Sequence, residues 1–250
     1  MRMSLKITSS FAIATTWLAT PALAQDTAAT PTSSAADATT AEKPFSLDFT
    51  LAGVSDYRFR GVSLSNKDPA FQPQIALTHN PTGLYARVWA SNVADNGGDD
   101  IEIDLVGGIA GEIDGFGIDV GATYYAYPRA KAVEYVEFIG VVSRDIGPAS
   151  VGVTFAYTPK QGAGAPTRGL YAAINGSLPI KGTPLSLTGS FGIEDNGFYD
   201  NKNDYSVGVS ADVLGFTVGL SYVDTARTGG DPLAGATALF SISKTFGAKF

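Results

Sequence analysis

Charges are sparse in this chain, yet several fall inside strand-like sequence, where each needs a partner or water. The stretch GVSDYRFRGVSLS (53–65) places Asp56, Arg58 and Arg60 on alternate positions, with Tyr57 and Phe59 between them. Arg87 follows in YARVW, Glu102 and Asp104 in IEID, and Asp119 in FGIDV. Arginines and carboxylates sharing a face can pair, stay hydrated, or set a field across a passage that selects ions. Catalysis fits them poorly. A serine nucleophile needs a base such as histidine. The single histidine, His79, precedes the NPTG turn with no evident nucleophile nearby. Asp99-Asp100 reads as solvated loop. Segments 94–100 and 195–203 are rich in Asp and Asn, oxygen ligands that calcium prefers, but they lack the spacing and closing Glu of an EF-hand loop. No enzymatic activity, catalytic residue, cofactor or metal site is expected.

The elements that carry these residues have a period of two. Phe45, Leu47, Phe49 and Leu51 fall on one face, and Ser46, Asp48, Thr50 and Ala52 on the other. The split recurs along the chain, as in Val151, Val153, Phe155 and Tyr157 against Gly152, Thr154, Ala156 and Thr158. Successive side chains of a strand leave opposite faces, so such alternation predicts strands. Twelve are expected, near 45–59, 70–79, 84–93, 101–113, 116–126, 134–145, 150–158, 169–178, 185–194, 204–213, 216–224 and 237–250. Short turns such as NPTG (80–83) and DG (114–115) alternate with longer segments such as 60–69, 94–100 and 159–169. Short–long alternation predicts an all-β fold: a transmembrane antiparallel up-and-down β-barrel of about 12 strands. Each strand approaches the ~9–11 residues that cross a bilayer at a tilt.

In a soluble barrel or sandwich the apolar face would form the core. A closed barrel of this size needs more filling than one face supplies, and the Gly, Ser, Thr and Ala rows suit a wet interior. The expected arrangement is therefore apolar outside and hydrophilic inside. Extending the first strand's phase through residue 61 turns Tyr57 and Phe59 to lipid, as part of an aromatic girdle. The same phase turns Asp56, Arg58 and Arg60 to the lumen. Arg87, Glu102, Asp104 and Asp119 face it by their own phases, so these seven residues are the candidates for a charged constriction. The last strand ends on Phe250, matching the terminal aromatic read by barrel assembly machinery. Lys244 falls on the apolar face, where either snorkelling or a bulge must accommodate it.

The N-terminus sets the compartment. Arg2 and Lys6, an apolar stretch near 11–19 and Ala22-Leu23-Ala24 match a secretory signal peptide over 1–24. Residues 25–43 are rich in Ala, Thr and Ser and are expected to be a disordered linker. The barrel then occupies 44–250. Without Arg2 and Lys6 the chain carries 15 basic against 24 acidic residues, a net of −9. An acidic chain without basic runs argues against a nucleic-acid partner. Cysteine is absent, so a disulfide scaffold is excluded.

GVSDYRFRGVSLS (53–65), LYARVWASNV (84–93) and IEID (101–104) resemble the TorF-like family of outer-membrane porins. The resemblance covers most of 45–250 and is most specific in the first third. It implies a single barrel in a proteobacterial outer membrane and carries over no binding or catalytic residues. The expected function is passive diffusion of small hydrophilic solutes or ions through a narrow charged lumen. The alternative is a non-conducting barrel with a structural, adhesive or binding role. Expected partners are outer-membrane lipids and lipopolysaccharide, the assembly machinery and small polar solutes.

Overall fold

The computed structural model describes residues 43–250. The expected signal peptide at 1–24, and all but the last residue of the linker at 25–43, lie outside the described residues. Twelve antiparallel strands close into one barrel in sequence order, the first beside the last. We number them β1 (Phe45–Val54), β2 (Ala70–His79), β3 (Leu84–Asn96), β4 (Asp99–Ile113), β5 (Phe116–Ala126) and β6 (Tyr135–Ile146). The second half comprises β7 (Ala149–Thr158), β8 (Gly169–Pro179), β9 (Leu185–Asp195), β10 (Lys202–Val213), β11 (Phe216–Ala226) and β12 (Thr237–Lys249). Closure pairs every backbone ladder and leaves no edge, the condition for crossing a bilayer with strands.

The predicted alternation decides which face is which. Outward rows are apolar and exposed: Val120, Phe155, Val207 and Leu220 all look away from the barrel axis. Inward rows are Gly, Ala, Ser, Thr and the charged residues. The seam pairs Ser46 with Lys249 through Val54 with Ser241. Beyond it Phe45 and Phe250 exchange both backbone hydrogen bonds at 3.0 Å, and their rings stack at 5.8 Å. Phe250 thus completes the closing strand pair.

One end of the barrel has turns of two to five residues: 80–83, 114–115, 147–148, 180–184 and 214–215. Gly83 in the first of these has φ +71°, and a Cβ there would lie 1.8 Å from the Ala110 carbonyl oxygen, so only glycine fits. The other end carries the connections 55–69, 127–134, 159–168, 196–201 and 227–236. The sixth connection there departs from expectation. Segment 94–100 is not a long loop, because β3 and β4 run on to Asn96 and Asp99 and turn through Gly97-Gly98, both at positive φ.

Lys244 is resolved in favour of snorkelling. Both ladders of β12 keep register, with Leu51 opposite Lys244 and Thr217 opposite Ser243. The amine lies 4.7 Å from the centre of the Phe216 ring, toward the Leu214-Gly215 turn. Its stem covers the apolar face while the charge reaches the short-turn rim.

Candidate functional site: the loop across the lumen

The first strand does not run to residue 59. It stops at Val54, where Ser55 makes the last wall contacts, donating its N–H to the Phe240 carbonyl and accepting the Phe240 N–H on its hydroxyl, each at 2.9 Å. The chain then folds into the barrel. Arg58-Phe59 and Val62-Ser63 form a miniature hairpin whose two central residues, Arg60 and Gly61, have φ of 48° and 82°. Positive φ at both positions is the type I′ requirement. Gly61 is pressed against β11, since a Cβ there would lie 2.2 Å from the Thr225 methyl.

Tyr57 and Phe59 therefore correct the sequence expectation of a lipid-facing girdle. Tyr57 is 1% exposed, inside the barrel, edge-on to Trp89 at 5.4 Å. Phe59 packs edge-on to Tyr125 at 5.9 Å. Their alternation with charged residues copies a strand, but the hairpin turn ends the wall's phase. Buried among Val54, Ala70, Trp89 and Val93, the Tyr57 ring anchors the loop by removing apolar surface from water.

Asp56 organises the loop from within. It accepts from Arg58 Nε at 2.7 Å and from the Ser63 hydroxyl at 2.6 Å. Arg58, itself 1% exposed, also donates to the carbonyls of Gly61 and Gly235, tying the loop to the 227–236 connection. Arg60 crosses the lumen. Its guanidinium donates to Glu137 on β6 at 2.7 Å and Glu194 on β9 at 2.8 Å, and lies 4.1 Å from the centre of the Tyr171 ring on β8. Lys202 on β10, fully buried, binds Glu194 at 2.9 Å and the Arg60 carbonyl at 2.5 Å. A loop that leaves β1 is thus held by four strands on the opposite side.

Glu102 on β4 receives two phenols, Tyr57 at 2.5 Å and Tyr127. Neutral donors satisfy this carboxylate without a cation. Asp104 and Asp119 each keep one buried oxygen without a hydrogen-bond partner. Arg87 is 5% exposed and makes no ion pair among the described residues; its guanidinium lies 5.4 Å from the centre of the Tyr85 ring. Two other connections, 196–201 and 227–236, meet at the rim. Tyr199 donates to Asp231 at 2.6 Å, and burial together with that hydrogen bond holds its phenol above the usual tyrosine range.

All seven sequence-predicted constriction residues thus lie within the barrel, but not as one ring. Asp56, Arg58 and Arg60 belong to the loop; Glu102 meets it; Arg87, Asp104 and Asp119 line the wall apart from its ion pairs. Sequence reading missed Glu137, Glu194, Lys202 and Asp204. Phase alone could have found the first two: Glu137 lies between Val136 and Phe138, and Glu194 follows Ile193. Lys202 and Asp204 begin a strand that was expected to start two residues later.

Burial changes along the lumen. On the inward row of β12, Leu239 is 0% exposed, Ser241 9%, Ser243 half-buried and Thr245 exposed. The inward side is therefore filled at the long-loop end and accessible to solvent at the short-turn end. There the lining is small and polar, as in the Ser190–Ser206 hydroxyl pair at 2.7 Å and the Thr50–Thr245 pair at 2.8 Å.

The model of the bacterial family Gcw_chp, described as a bacterial protein of unknown function, matches residues 38–246. Among solved structures, the KdgM porin is similar at a TM-score of 0.54 and 8% identity, covering 82% of this chain and 99% of the porin. An outer membrane channel from Pseudomonas putida F1 is similar at a TM-score of 0.50 and 10% identity, covering 85% of this chain and all of the channel. At these identities the likeness is one of fold. No curated protein matches the chain by sequence.

Proposed function

The chain belongs to the Gcw_chp family, and we propose that it is a bacterial outer-membrane channel for small hydrophilic solutes or ions, with loop 55–69 as its selective constriction. The observation that carries this reading is the inversion of faces, apolar outside and charged within, around a loop held across the lumen. The resemblance to the TorF-like porins over 53–65, 84–93 and 101–104 supports it, as do the porin and channel folds of KdgM and the P. putida protein. On this reading the short turns face the periplasm, the longer connections face outward, and Phe250 serves as the assembly signal.

Charge sets the expected preference. Among the described residues eight acidic side chains are buried against four basic ones, Arg58, Arg60, Arg87 and Lys202. The excess of carboxylates favours cations. Single-channel recording in planar bilayers tests the proposal: discrete steps above leak are expected, and their absence from folded protein overturns it. Arg58→Ala with Arg60→Ala should move the reversal potential further toward cations. An unchanged potential removes those arginines from the filter.

One observation favours the alternative, a non-conducting barrel with a structural or binding role. Arg60 fastens the loop to the far wall through two ion pairs of 2.7 and 2.8 Å, and Lys202 donates to its carbonyl at 2.5 Å. Replacing the loop distinguishes the two, because a barrel closed by it conducts only once it is gone.

A further inference from the structure

Arg87 and Asp119 are opposite charges on one wall, each about nine-tenths buried or more, that do not meet. Arg87 stands three residues into β3 from one short turn, and Asp119 three residues into β5 from the next. Both therefore lie on the short-turn side of the loop, on the same stretch of wall. Left to themselves, a guanidinium and a carboxylate facing one lumen would form a bidentate pair.

Tyr85 prevents it. Its ring lies beside the guanidinium at 5.4 Å, and its hydroxyl donates to Asp119 Oδ1 at 2.8 Å. The ring can lie along the wall because the neighbouring positions on β4 and β5 are Gly108 and Gly121. A Cβ there would sit 2.5 Å and 2.9 Å from the Tyr85 oxygen. Side chains at these two positions would push the phenol off the wall. The second oxygen of Asp119, Oδ2, is buried and has no hydrogen-bond partner. Asp104, one strand over from Arg87, presents a second unpartnered buried oxygen. A tyrosine thus has a cation beside its ring and an anion at its hydroxyl, with no ion pair joining the two and one carboxylate oxygen unused.

We propose that Arg87, Tyr85 and Asp119 form a binding site for a short amino-carboxylate zwitterion, whose carboxylate meets Arg87 and whose ammonium meets Asp119. A bare anion would face Asp104 and Asp119, and a bare cation would face Arg87. Only a solute bearing both charges matches both groups at once. This rests on the lumen being solvent-filled at its short-turn end, and it deepens the channel reading by naming a solute class.

The test uses the full chain in detergent, titrated calorimetrically with glycine, β-alanine and γ-aminobutyrate, and with acetate, ethylammonium and propionamide as single-charge and neutral controls. At least one zwitterion should bind about tenfold tighter than every control, since it gains two charge-assisted contacts where they gain one or none. Arg87→Gln and Tyr85→Ala should each abolish that advantage, the first by removing the guanidinium and the second by letting the pair collapse. Tyr85→Phe, which keeps the spacer, should retain most of it. Heat-modified gel migration confirms folding, and Asp119→Asn replaces any variant that does not fold. Binding of ethylammonium or acetate as tight as that of the zwitterions overturns the proposal. So does zwitterion binding that is indifferent to Arg87→Gln. Potassium chloride conductance of the same preparations separates the two readings: a conducting protein without zwitterion preference loses this site and keeps its channel, whereas a silent protein that binds β-alanine loses the channel and keeps the site.

Discussion

The two halves of the lumen handle charge in opposite ways. At the long-loop end, Arg58, Arg60 and Lys202 are each in contact with a carboxylate at 2.7–2.9 Å, and the space between walls is filled by residues 55–69. At the short-turn end, Arg87 and Asp119 are held apart, and side chains such as Thr50, Ser206 and Thr245 leave the surface open to solvent. Paired charges brace; separated charges keep hydrogen-bonding capacity unused. The barrel wall is the same ladder throughout, so the difference comes from a single connection that folds in instead of out.

The contrast can be broken most severely by removing that connection. Replacing residues 57–64 with a short Gly-Ser linker should raise single-channel conductance several-fold, because the inward rows would then define the narrowest section. Unchanged conductance would mean that the narrow point lies in the wall. Arg60→Ala tests the bracing alone. It leaves Glu137 without its cation, and loss of one partner of a buried pair costs roughly 3 kcal/mol. Hydrogen exchange at the Tyr57 and Leu64 amides should accelerate about a hundredfold, while wall amides of β7 and β8 stay protected. Tyr57→Phe should have a smaller effect of the same kind. It removes a hydrogen bond to the Glu102 carboxylate, worth about 1.5–3 kcal/mol, and keeps the ring contact with Trp89. The smallest effect is expected outside the lumen. Lys244→Leu should change folding free energy in bilayers by no more than about 1 kcal/mol, since the amine already sits at an interface, whereas Val207→Lys at mid-wall should cost about 2–4 kcal/mol.

Much of the wall was legible in the sequence because each strand states its own phase. Rows such as Val151, Val153, Phe155 and Tyr157 need one face in lipid whatever their neighbours do, and their bounds came within a few residues of the structure. The 55–69 loop was not legible from the same signal. Asp56, Tyr57, Arg58, Phe59 and Arg60 alternate as a strand would, and only partners distant in sequence turn them inward. Arg87 and Asp119 were placed on the lumen by phase. Their separation was not, because it depends on Tyr85 crossing two neighbouring strands over Gly108 and Gly121.

The Arg60 contacts also order events in time. Its partners Glu137 and Glu194 follow it by 77 and 134 residues, and Lys202 by 142. Contacts so far apart in the chain form late, after the intervening hairpins have been laid down. Tyr57 and Arg60 emerge early in synthesis and must wait, solvated, until the eleven further strands surround them. The seating of this segment is therefore a clock for completion: a probe on residue 59 or 60 reports the moment at which the cylinder has become whole.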